Sequence, residues 1–135
     1  ISFTKNDKKL RALGALVHPD AAGRFIRIAV YVKRVSVFEL LVQTDALPIA
    51  DNPRSSVSAP GALRVEANVE KDLPLDGVYK IALQVSEKTQ LFADSPVIPW
   101  SFEPLSFSEF PRQLAPAPLV ERLPLFQVYA ISSPN

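Results

Sequence analysis

Arg24, Arg27, Lys33 and Arg34 surround Tyr31 within a single run of alternating sequence. A tyrosine among cations can stack a nucleic-acid base or meet an anionic partner, because the ring supplies a flat apolar face and the cations neutralise phosphate or carboxylate. Lys5, Lys8, Lys9 and Arg11 extend the basic stripe toward the start of the chain. A solvated sheet face, a protein-binding face and a nucleic-acid surface all fit these residues. The isoelectric point is only moderately above neutral, lower than a dedicated nucleic-acid domain shows.

No other residues assemble a reaction. The one histidine, His18, stands beside Pro19, and a lone histidine does not make a zinc site without several carboxylates. The chain has no cysteine, which excludes disulfides and a thiol nucleophile. Asp72 and Asp76 bracket Leu73-Pro74-Leu75, but two carboxylates fall short of the oxygen ligands calcium prefers, and a solvated turn accounts for them. Nucleophile-elbow, phosphate-loop, dinucleotide and metalloprotease motifs are absent. No catalytic, cofactor-binding or metal-binding residue is therefore assigned. An enzyme would have to use carboxylates whose pairing is purely three-dimensional.

The elements that position these residues read mainly as strands. Residues 24 to 34 place Ile26, Ile28, Val30 and Val32 on one face and Arg27, Ala29, Tyr31 and Lys33 on the other. The apolar run through Val35, Val37, Phe38, Leu40, Leu41 and Val42 reads as a second strand, or as the same strand bent at a bulge near residues 34 to 36. Leu63, Val65, Ala67 and Val69 alternate with polar residues, as do Tyr79, Ile81, Leu83 and Val85. Ser86 to Lys88 reads as a hairpin turn into residues 89 to 93, and a last strand runs from about Leu125 to Ile131. Residues 44 to 62, with Pro48, Pro53, Pro60 and Gly61, read as a long surface connection. Near the start, Leu10, Leu13, Leu16 and Val17 recur at helical spacing behind Asn6 and Asp7, which predicts a short helix over 7–17 ended by His18-Pro19. Leu73-Pro74-Leu75-x-x-Val78-Tyr79-x-Ile81 echoes Leu123-Pro124-Leu125-x-x-Val128-Tyr129-x-Ile131. Nine residues are too few for a repeat, and both segments read as a proline ahead of a strand with a buried tyrosine.

Seven of the thirteen prolines lie between residues 96 and 124, interleaved with Trp100, Phe102, Phe107 and Phe110. Such proline density forbids a regular helix or a central strand, and the aromatics argue against a disordered tail. The segment must either pack along the domain as an extended arm or dock to a partner. Trp100, Phe102, Phe107 and Phe110, with Arg27, Tyr31 and Lys33, are the candidate partner-binding residues.

With 135 residues, 47% of them hydrophobic and 21% charged, the chain suits one globular domain over 1–135. Residues 1–34 carry eight Lys/Arg against two acids, and the rest carry seven against twelve, so the net +1 hides opposite halves of +6 and −5. Opposite charges in a small domain tend to meet each other, though they also orient it on an anionic partner. No apolar stretch is long enough for a membrane span.

Val78-Tyr79-Lys80-Ile81-Ala82-Leu83-Gln84-Val85, followed by Leu91-Phe92-Ala93-Asp94, is similar to the central strands of the YbaY-like lipoproteins, a group that includes the YscW-type pilotins of type III secretion. The similarity covers about 30 of the 135 residues. It implies a periplasmic β-sandwich, lipid-anchored through an N-terminal cysteine, that escorts a secretin subunit to the outer membrane. This sequence has no such cysteine, and residues 100 to 124 have no counterpart in the family.

The sequence thus predicts an all-β sandwich of about seven mostly antiparallel strands with one short N-terminal helix. The alternative is an α+β domain with that helix on one antiparallel sheet. The function expected is a non-catalytic protein- or peptide-binding module, pilotin-like or another accessory or assembly factor. Polyanion or nucleic-acid binding through residues 5–34 is the alternative, and a motif-less enzyme the third.

Overall fold

The structure, a computed structural model, describes residues 7–17, 22–49, 63–73, 78–86, 98–100, 107–114, 120–122 and 127–134. Among these the chain is all-β. It forms β1 (Lys9–Val17), β2 (Phe25–Arg34), β3 (Val37–Gln43), β4 (Leu47–Pro48), β5 (Leu63–Asp72), β6 (Tyr79–Val85), β7 (Ile98–Trp100), β8 (Gln113–Leu114), β9 (Val120–Arg122) and β10 (Gln127–Ser133). Six of these have seven or more residues and carry the architecture. No helix among the described residues is long and apolar enough to cross a membrane.

Two antiparallel sheets face each other. One has the order β10-β1-β5. The other centres on β2, with β6 along one edge and β3 and β4 in succession along the opposite edge; β8 adds to β3. The turn from β3 to β4 keeps its hydrogen bonds through Thr44. Its N–H donates to the Ile28 carbonyl at 2.9 Å, and its Oγ1 accepts the Ile28 N–H at 3.1 Å. The short strands β7 and β9 pair with each other.

The alternation of β2 sets the core. Ile26, Ile28, Val30 and Val32 are at most 2% exposed and pack against Leu13, Ala15 and Val17 of β1 and Leu63 and Val65 of β5. Tyr79 is buried in the same cluster, with Ile81, Leu83 and Val85 of β6 against it. Each such aliphatic side chain contributes about 1.5–3 kcal/mol by leaving water.

The helix expected over 7–17 is not formed: residues 9–17 are the middle strand of the three-stranded sheet. A bulge between Leu10 and Ala12 explains the misleading spacing. One added residue shifts the phase, so Leu10 shares the core with Leu13, Ala15 and Val17 at an interval that mimics a helical turn. Ala12 and Leu16 are buried as well, which removes the polar alternation that marks a half-exposed strand. Asp7 is no helix cap; its Oδ2 accepts a hydrogen bond from the Ser132 hydroxyl at 2.6 Å. The α+β alternative falls with the helix.

Of the two readings for residues 35 onward, the separate strand is the one formed. A two-residue turn, Val35-Ser36, closes Arg34 against Val37, and the register irregularity lies further back, between Val30 and Tyr31. The echoed segments diverge: Tyr79 turns into the core, whereas Tyr129 lies on the outer face of its sheet beside Gly14. Residues 89 to 93 and most of 44 to 62 lie outside the described residues.

Candidate functional site

The outer face of the β2 sheet carries Arg27, Tyr31 and Lys33, three of the residues singled out from the sequence, and part of it is covered by the chain itself. Residues 107–114 cross it as a bent segment whose last two residues form β8. Phe110, 5% exposed, inserts beside Ala29 and Tyr31, with Phe38, Leu40, Ala82 and Leu114 around it. The Tyr31 and Phe110 rings meet edge to face with centroids 6.3 Å apart. Phe107 covers the Arg27 guanidinium, which lies 5.4 Å from the ring centroid.

Hydrogen bonds hold the segment by its main chain. The Tyr31 hydroxyl donates to the Pro111 carbonyl at 2.7 Å, and the Phe110 N–H donates to Gln43 Oε1 at 2.9 Å. The Ser108 N–H reaches Gln84 Oε1 at 3.4 Å. The Leu40 N–H donates to the Arg112 carbonyl at 2.7 Å as β8 joins β3. Nothing in the local sequence singles out Gln43 or Gln84, each a polar residue on the outward side of its strand.

This arrangement settles where each named residue lies. Tyr31 is fully buried and offers no ring for a base to stack on. Arg27 is half-buried, and its Nε is buried with no hydrogen-bond partner among the described residues. Phe107 is half-buried and Phe110 buried. Lys33 is exposed. The backbone of Trp100 lies in β7; its side chain, Phe102, His18 and Asp76 are outside the described residues.

The basic stripe is divided by the fold. Lys9 and Arg11 are on β1 in one sheet, whereas Arg27, Lys33 and Arg34 are on β2 in the other. Arg11 pairs with Glu70 at 2.9 Å and donates through Nε to the Ser133 hydroxyl at 2.8 Å. Arg34 lies 3.9 Å from Glu39. Lys80 sits over the Phe38 ring at 4.8 Å.

At one end of the β2 sheet the fold leaves two apolar side chains in solvent among charged ones. Val35, first residue of the β2–β3 turn, is fully exposed and has φ 29°. A β-branched residue in that left-handed region is strained, and turns of this kind normally take Gly, Asn or Asp there. Val78 is 55% exposed at the same end, where its carbonyl accepts the Lys33 N–H at 2.8 Å. Lys33 and Arg34 flank the pair. The sequence carries this signal: an alternating strand and an apolar run joined by Val-Ser, with no Gly, Asn or Asp to take a positive φ.

The opposite sheet has its own outer-face cluster. The Tyr129 ring lies on Gly14, and its hydroxyl donates to Glu66 at 2.7 Å. Arg64 stands 5.9 Å from the ring centroid. Burial, then the hydrogen bond and charge of Glu66, raise the Tyr129 phenol above its usual range against the opposing effect of Arg64. Among the described residues no three His, Cys, Asp or Glu side chains gather where a metal ion could bind. No protein-family model, curated protein or solved structure matches the chain.

Proposed function

We propose that this chain is a non-catalytic β-sandwich module that binds a protein partner through the end of the β2 sheet formed by Lys33, Arg34, Val35 and Val78. Such a module acts as an accessory or assembly factor, the role that the pilotin resemblance implies. The observation that carries the reading is Val35. A strained turn holds a fully exposed apolar side chain in water, and a partner that covers it gains the burial of that side chain. Val78 enlarges the apolar contact, and the two cations supply orientation toward an acidic rim.

The polyanion reading is less well supported, because the cations are divided between the two sheets rather than gathered on one face. Parallel capture on immobilised native chain and on a Val35→Gly, Val78→Ser variant tests the proposal, with bound proteins quantified by mass spectrometry. A protein partner lost from the variant and retained on the native chain at high salt supports it. Identical captured sets, or a nucleic-acid ligand released by salt, would overturn it.

A further inference from the structure

We infer that the outer face of the β2 sheet is a recognition groove for a peptide of the pattern Phe-x-x-Phe-Pro, and that residues 107–114 fill it in cis. The contacts are those of a receptor reading a peptide. Three side chains of the sheet, Tyr31, Gln43 and Gln84, and one backbone amide, Leu40, bond to main-chain atoms of the segment. Main-chain bonding of this kind carries no sequence preference of its own, and the side-chain pockets then select among sequences. Here the Phe110 pocket and the Arg27 guanidinium beneath Phe107 select two aromatics three residues apart. Proline after the second aromatic fits because the groove bonds the Pro111 carbonyl and asks for no N–H at that position.

The cis segment behaves as a ligand in two further respects. It lies far along the chain from its receptor residues, 80 positions from Tyr31 and 67 from Gln43, so those contacts are not imposed by a short connection. It also forms a single surface layer: Ser108, Glu109, Pro111, Arg112 and Gln113 are all exposed while Phe110 alone is buried. Among the described residues the fit leaves the buried Nε of Arg27 without a hydrogen-bond partner. A peptide in trans that places an acceptor there satisfies a group the cis segment does not, which gives an outside ligand a route to compete.

The test uses a fluorescein-labelled synthetic peptide of residues 107–114, with a scrambled peptide beside it, against the full chain. In the native chain the tethered segment competes at an effective concentration of about millimolar. The Phe110→Ala chain, whose cis segment has lost its anchor, is expected to bind the peptide at least about tenfold more tightly than the native chain. Gln43→Ala added to that background is expected to weaken binding about fivefold, the loss of one hydrogen bond. Val35→Gly is expected to leave peptide affinity unchanged, so this result is independent of the partner surface proposed above.

A folded Phe110→Ala chain that fails to bind at about millimolar peptide, or binds the scrambled peptide equally well, would overturn the inference. Should Phe110→Ala fail to fold, Phe110→Leu, which keeps an apolar group in the pocket, takes its place in the same titration. Tighter peptide binding than by the native chain then supports the groove, and no binding at about millimolar peptide overturns it.

Discussion

The Tyr129 ring lies on Gly14 so closely that a Cβ at position 14 would overlap it. Gly14 is in the middle strand, paired with Tyr129 on one side and Glu66 on the other, so the ring crosses β1 to place its hydroxyl on Glu66. The absence of a side chain at position 14 makes that bridge between the two flanking strands possible. Gly14→Ala is expected to lower stability by about 1–3 kcal/mol by displacing the ring. In a Tyr129→Ala background the same change should instead stabilise by about 0.5 kcal/mol, because a strand glycine is otherwise an entropic cost. Chemical denaturation of the four chains measures the reversal of sign.

Alkaline unfolding reports on the same tyrosine. The folded state holds the Tyr129 proton more tightly than the unfolded chain, whose phenol titrates near pH 10. Burial raises Tyr79 in the same direction, with Arg34 opposing it. Above about pH 10 the unfolded state loses its protons first, so this stabilisation is complete below that pH and falls as pH rises. Tyr129→Phe should make the fall shallower, read from denaturation midpoints at about pH 8 to 12.

Both faces of β2 are expected to be intolerant of truncation, for different reasons. Ile28→Ala removes a core side chain and should cost about 2–4 kcal/mol. Phe110→Ala leaves a cavity over Tyr31 and should cost about 3–5 kcal/mol although it lies in a proline-rich segment. Arg27→Met should stay within about 1 kcal/mol of the native chain: it loses the contact under Phe107 but also removes a buried donor without a partner. Equal loss in all three would contradict this layering.

Val35→Gly is expected to raise stability by about 0.5–1 kcal/mol, since glycine adopts the positive φ at position 35 without steric cost. The proposed function requires the same substitution to weaken partner capture. A thermal melt and a binding assay on one variant therefore read opposite signs, the pattern of a residue kept for binding rather than for folding.

The strand alternation and the core were legible in the sequence because both depend on local periodicity. Ile26, Ile28, Val30 and Val32 could lie inward together only if the backbone was extended, and so could Leu63 and Val65. The bulge in β1 defeated the same logic. A one-residue phase shift turns a strand's spacing into a helix's, and burial on both faces removed the polar residues that would have shown it. Proline density determined that residues 107–114 could join the fold only at its surface or edge. That Phe110 meets Tyr31, and that Gln43 and Gln84 receive its neighbouring amides, was decided by tertiary structure alone. These contacts join residues 24 to 80 positions apart, and nothing in the local sequence of β2 says that the cover on its Arg–Tyr face comes from the same chain. Hydrophobic burial is non-directional, so the sequence specifies that such rings must leave water, and the packing of the sheet specifies where.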